Sequence, residues 1–168
     1  MAFAVRPRAL RGPVWPEGIV TAVGNTSGYA GDVNPEQAWE TLERNPKAQL
    51  VDVRTMAEWT FVGTPDLSGL GRDIHRIQWQ LFPEMSRNED FVRIVAERLQ
   101  EAGADPDTPV LFLCRSGGRS RAAAMAMTAI GYRRALNVAG GFEGDVDQAG
   151  RRGTVNGWKA AKLPWRQS

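Results

Sequence analysis

Short, continuous apolar runs alternate along this chain with stretches whose apolar residues recur at helical spacing. Leu50 to Val53, Val110 to Leu113 and Leu136 to Val138 are compact and rich in branched side chains, which predicts strands buried on both faces. Ahead of the first run, Asn34 is placed to cap a helix with Pro35 at its first position, and Ala38, Trp39 and Leu42 form the stripe of that helix. Phe91, Val92, Val95 and Leu99 make a second stripe, which Gly103 ends. Ala123, Ala126, Met127 and Ile130 make a third. Strand, helix and strand in succession predict an α/β fold in which a mostly parallel central sheet is flanked by helices, with ligands at the carboxyl ends of the strands. The pattern assigns residues 31–168 to one domain. Residues 1–30, where Arg6, Arg8 and Arg11 alternate with Pro7, Pro13 and Pro16, read as an arm laid over it.

Composition narrows the picture without choosing a function. A chain of 168 residues has the length for a single core. A formal charge of +2 is too near neutral to argue for nucleic acid, even with a pI near 9.0. No segment approaches the roughly 20 apolar residues that cross a bilayer, so no membrane partner is expected. The N-terminus has no apolar run of signal-peptide length, and the single cysteine suits a reducing compartment, so a cytoplasmic location is expected. In that setting Asn25-Thr26-Ser27 has no meaning as a glycosylation signal. One cysteine and one histidine exclude an internal disulfide and a cysteine-histidine metal cluster.

The chemistry concentrates in Cys114-Arg115-Ser116-Gly117-Gly118-Arg119-Ser120, between the strand run Val110 to Leu113 and the alanine-rich stretch Ala122 to Ile130. A strand feeding a tight glycine-bearing loop that opens a helix directs backbone N–H groups and a positive helix end at one concave spot. A thiol there, beside Arg115 and Arg119, has neighbours that favour its anion, so Cys114 is read as a nucleophile. A packing cysteine would not need two arginines, two serines and a Gly-Gly pair directly after it. Other loop chemistries fail on spacing. A phosphate-binding P-loop ends in Gly-Lys-Ser or Gly-Lys-Thr, and this loop has no lysine. Ser120 stands where a cysteine phosphatase loop carries its arginine, with Arg119 one residue early and Arg121 one late. A cysteine-histidine arrangement would need His75, which reads instead as a strand or loop residue.

Cys114 through Arg119 resembles the active-site loop of the rhodanese family of sulfurtransferases. Leu50-Val51-Asp52-Val53-Arg54 with Glu58-Trp59 is similar to the early Asp-x-Arg and Glu-Trp element of that family. Asn137-Val138-Ala139-Gly140-Gly141-Phe142 is similar to its late strand and Gly-Gly turn, and Gly157 to Trp165 to its end. The resemblance spans about Val33 to Trp165 and implies a rhodanese-like three-layer fold. Two segments depart from the pattern. Gly63 to Pro83 lacks the usual Gly-His-Ile, and Glu143 to Asn156 is a longer, Gly- and charge-rich step that reads as a surface loop.

The resemblance implies a thiosulfate-type sulfurtransferase in which Cys114 carries a persulfide. Amides of the loop Arg115, Ser116, Gly117, Gly118, Arg119 and Ser120 would hold the sulfur. Arg115 and Arg119 would attract an oxyanionic donor, while Ser116 and Ser120 would donate hydrogen bonds. Asp52, Arg54 and Glu58 read as support for the loop, Trp79 as a candidate pocket wall, and Arg151 with Arg152 as a solvated face. Trp39, Trp59 and Trp158 read as apolar anchors of helices. Because the chain has no second thiol, the acceptor must be external: cyanide, a small thiol or a protein cysteine. No cofactor or metal is implied. The competing expectation is a rhodanese-like relay or partner-binding module without significant thiosulfate turnover.

Overall fold

The computed structural model describes residues 28–167; most of the expected arm and the sequence Asn25-Thr26-Ser27 lie outside the described residues. A five-stranded parallel sheet forms the middle layer, in the order β1 (Gly31–Val33), β8 (Ala135–Val138), β7 (Val110–Leu113), β2 (Gln49–Asp52), β4 (His75–Arg76). Strand β7 lies at its centre, paired to β2 and β8. Alternation along it serves two cores. Val110, Phe112 and Cys114 pack with α3 (Phe91–Glu101) and α4 (Gly118–Ala129) on one face. Leu111 and Leu113 pack with α1 (Pro35–Arg44) and α5 (Gly157–Ala160) on the other. Both faces are covered, which is why these strands read as unbroken apolar runs.

The helix signals act as the sequence predicts. Asn34 accepts from the Gln37 amide and Gln37 returns a bond to the Asn34 amide, with Pro35 at the first helical position. Gly103, at φ 74°, ends α3 with the amides of Gly103 and Ala104 on the carbonyls of Gln100 and Leu99. In α4 the buried residues are Ser120, Ala123, Ala124 and Met127; Ile130, expected in the stripe, is the C-cap and 37% exposed. Small side chains on α4 let it lie close against β7 and β8.

Between β2 and α3 the chain forms short pieces that periodicity does not reveal. They are α2 (Met56–Phe61), β3 (Thr64–Pro65), a 3-10 turn at Ser68–Leu70, β4, and a hairpin of β5 (Gln80–Leu81) and β6 (Ser86–Arg87). Near the C-terminus β9 (Trp165–Arg166) pairs antiparallel with β3. Trp39 and Trp158 meet edge to face at 6.0 Å between α1 and α5, as apolar anchors should.

Candidate active site

Strand β7 delivers Cys114, 2% exposed, to the carboxyl edge of the sheet, and the chain turns at once into α4. The turn needs Gly117, whose φ of 113° L side chains rarely adopt. Its amide donates to Cys114 Sγ at 3.1 Å. No side chain caps α4, so its first amides face the same spot.

The late Gly-Gly turn holds this loop from outside. The Phe142 amide donates to Cys114 O at 2.8 Å, and the amides of Glu143 and Gly144 donate to Arg115 O at 3.0 and 3.1 Å. Drawing those carbonyls outward turns the amides of the same trans peptide units inward. Gly141, at φ 59°, permits the approach: a Cβ there would collide with Cys114 O and sit 2.7 Å from Arg115 O.

Charged side chains brace the loop on its other flank. Arg119 grips Glu58 with both terminal nitrogens, at 2.9 and 2.7 Å, and each side chain is 19% exposed. Glu58 occupies the third position of α2, where it also accepts from the Thr55 amide and hydroxyl. Burial pushes the Glu58 carboxyl up, but the Arg119 fork and the Thr55 bonds outweigh it and bring it down to about 2. Burial lowers the Arg119 guanidinium and Glu58 more than offsets that, so the pair is ionised. Arg119 is thus held by Glu58 while still lining the cleft, and Arg115 beside it is exposed. Asp52 and Arg54, both fully buried, form a second brace: Arg54 bonds Asp52 at 2.6 Å, the Gly63 carbonyl at 2.7 Å, and stacks on Phe142 at 4.1 Å. One guanidinium thereby ties the end of β2 to the turn that holds the loop.

Over the sulfur opens a cleft of about 710 Å³. Cys114, Arg115, Ser116, Gly118 and Arg119 form its floor, and Ala57, Glu58 and Val62 one side. Phe82 and Met85, at the tip of the β5–β6 hairpin, give it an apolar wall, and Glu143 and Arg152 also line it.

Three expectations change here. Trp79 is not the wall: it is 8% exposed and packs edge to face on Phe91 at 4.9 Å, with Arg87 over its ring at 3.5 Å. Arg152 is not merely a solvated charge, since it lines the cleft and donates to Gly144 O at 2.5 Å. Ser120 is not a cleft residue. It is fully buried under the sulfur, 3.2 Å from Sγ and 2.6 Å from Asn137, a partner that sequence reading did not find. His75 lies on edge strand β4 against Gln49 at 2.8 Å, its imidazole pushed down by burial, and does not line the cleft. Among the described residues no cluster of metal-ligating side chains occurs, and no helix is long and apolar enough to cross a membrane.

Comparison with known proteins fits this arrangement. Residues 30–168 match the family model described as the STR4 middle domain. An uncharacterised protein of Rickettsia conorii is 38% identical over 77% of this chain and 92% of its own length. The crystal structure of Rv0390 from M. tuberculosis is 49% identical, covers 83% of this chain and 99% of that one, and superposes with a TM-score of 0.73. A thiosulfate sulfurtransferase, GlpE of Actinobacillus pleuropneumoniae, is 28% identical over 67% of this chain and 83% of its own. The three-layer arrangement around β7 is a rhodanese-like fold.

Proposed function

The chain belongs to the STR4 middle domain family, and from that premise we propose that it is a sulfurtransferase working through a Cys114 persulfide. The observation that carries the reading is Cys114 Sγ held 3.1 Å from the Gly117 amide at the uncapped start of α4. The distant likeness to a thiosulfate sulfurtransferase supports it.

In the first half-reaction the Cys114 thiolate attacks the outer sulfur of thiosulfate or a related sulfane donor. A new S–S bond forms, the donor's own S–S bond breaks, and its electron pair leaves with sulfite. In the second, cyanide or a thiolate attacks the outer persulfide sulfur and departs as thiocyanate or a new persulfide, returning Cys114 as thiolate. Each sulfur moves with its electrons accounted for, so no external oxidant is needed. The inward amides of the loop and the N-terminus of α4 stabilise the anionic outer sulfur. Arg115 and Arg152, which both line the cleft, favour an anionic donor.

A second reading, a relay module that hands sulfur to a protein partner with little thiosulfate turnover, draws on the apolar wall. Phe82 and Met85, 49% and 40% exposed, line the same cleft as Cys114 and offer an apolar surface that a small dianion does not use. Steady-state kinetics with thiosulfate and several acceptors tests both. Ping-pong turnover that Cys114→Ser abolishes supports the enzyme. Stoichiometric charging without turnover supports the relay, and neither in the folded protein refutes both.

A further inference from the structure

A polar chain runs beneath the thiol. Ser120 Oγ lies 3.2 Å from Cys114 Sγ and 2.6 Å from Asn137 Oδ1. The Asn137 amide nitrogen donates to Asp32 Oδ1 at 2.9 Å, and the two residues are register partners on β8 and β1. The Tyr29 hydroxyl donates to the same Asp32 oxygen at 2.7 Å, and Arg121 lies 3.5 Å from the other. Ser120 and Asn137 are 0% and 1% exposed, so their bonding is settled within the protein.

The direction of each bond follows from the charge at the far end. Burial pushes the Asp32 carboxyl up, but Asn137, Tyr29 and Arg121 outweigh it and hold it below its ordinary value. Asp32 is therefore an acceptor only, and the group of Asn137 that faces it must be the NH2. That leaves Oδ1 facing Ser120. An amide oxygen has no proton to give, so the contact between them uses the one proton of the serine hydroxyl. What Ser120 then presents to Cys114 is lone pairs. They accept from a thiol S–H, whereas an anionic sulfur would obtain the hydroxyl proton only by leaving Asn137 Oδ1 unpaired in a dry site. The Gly117 amide favours the anion; the serine, so aimed, opposes it.

We infer that Asn137, anchored by Asp32, is a positioning residue that aims the Ser120 hydroxyl away from Cys114, so that the serine donates to sulfur only once the sulfur is anionic. The inference rests on Cys114 being the reacting sulfur. The other charged groups around the thiol are Arg115 and Arg119 of the loop, Glu58 paired to Arg119 from α2, the Asp52–Arg54 pair at the end of β2, and Glu143 and Arg152 in the cleft lining. None of them is altered in the test.

Cys114 is the only thiol, so alkylation by iodoacetamide, followed by intact mass across pH, reports on it alone. Asn137→Leu removes the acceptor and frees the serine proton for sulfur. Its alkylation profile moves to lower pH, with about tenfold faster reaction at a pH below both midpoints. Asp32→Asn, at a side chain 40% exposed, lets the Asn137 amide turn over and gives a shift in the same direction, about threefold. In a Ser120→Ala background both effects vanish. A shift of equal size in that background would mean that charge or packing acts on the sulfur directly, and would overturn the inference. No shift, or a shift to higher pH, in either folded variant would overturn it too. If Asn137→Leu does not unfold cooperatively, Asp32→Asn decides alone. Sulfur transfer is not the readout, so a failure here leaves the proposed function standing, and a failure of charging leaves this result intact.

Discussion

On one side of the cleft, the loop from Cys114 to Ser120 is held by backbone bonds from Phe142, Glu143 and Gly144 and by the Arg119–Glu58 and Asp52–Arg54 pairs. Elsewhere in its lining, Phe82 and Met85 stand exposed at the tip of a hairpin whose ladder pairs only Gln80 with Arg87 and Leu81 with Ser86. The first region places atoms through main chain and buried charge, where small shifts misdirect an amide. The second offers a surface that a neighbouring molecule can press against and that substitution can reshape. On the proposed function, the chemistry falls to the first region and the choice of substrate to the second.

The largest expected effect comes from wedging the rigid wall open. Gly141→Ala puts a methyl group onto the carbonyls of Cys114 and Arg115 at a left-handed φ, and should lower sulfur transfer by more than about 100-fold. Transfer rates within threefold of wild type would show that the turn does not hold the loop. Arg54→Ala removes the guanidinium that pairs with Asp52 at full burial, so chemical denaturation should report a loss of about 3 kcal/mol. A loss below about 1 kcal/mol would deny the brace its role.

Glu58→Gln should cost about 2 kcal/mol at neutral pH. Because the folded value of about 2 lies below the ordinary 4.5, this stabilisation is complete above 4.5 and disappears as pH falls through about 2. The stability curves of wild type and Glu58→Gln should therefore converge as the solution is acidified over that window, and parallel curves would contradict the pairing. The smallest effect belongs to the other wall. Phe82→Ala should leave stability within about 0.5 kcal/mol and thiosulfate use within a few-fold, while weakening a bulky thiol acceptor about tenfold in kcat/KM. Equal losses for both substrates would erase the contrast between the walls.

How much of this was legible in the chain varies with the range of the signal. Strands β2, β7 and β8, the Asn34-Pro35 helix start and the loop after Val110–Leu113 are written in consecutive residues or a single helical period, and the fold follows from them. The Arg119–Glu58 grip joins residues 61 positions apart, and the Asn137–Asp32 contact joins residues 105 apart. Such pairs become visible only when the sheet order is known. Asn137 looked like one polar residue in a strand, and only the register of β1 on β8 brings Asp32 to it. Trp79 misled because a large aromatic between motifs resembles a wall, whereas Phe91 and Arg87 cover it. The true wall came from a hairpin of two-residue strands, too short to show an alternation.

On the proposed function, the rigid wall charges Cys114 with one sulfur. Intact-mass measurement of the whole protein after exposure to thiosulfate, beside Cys114→Ser, tests it most directly. The expected result is a gain of one sulfur atom that cyanide or a thiol removes, and no gain in Cys114→Ser. An unchanged mass in the folded protein with thiosulfate and with a small-molecule persulfide donor, or an equal gain in Cys114→Ser, would contradict it.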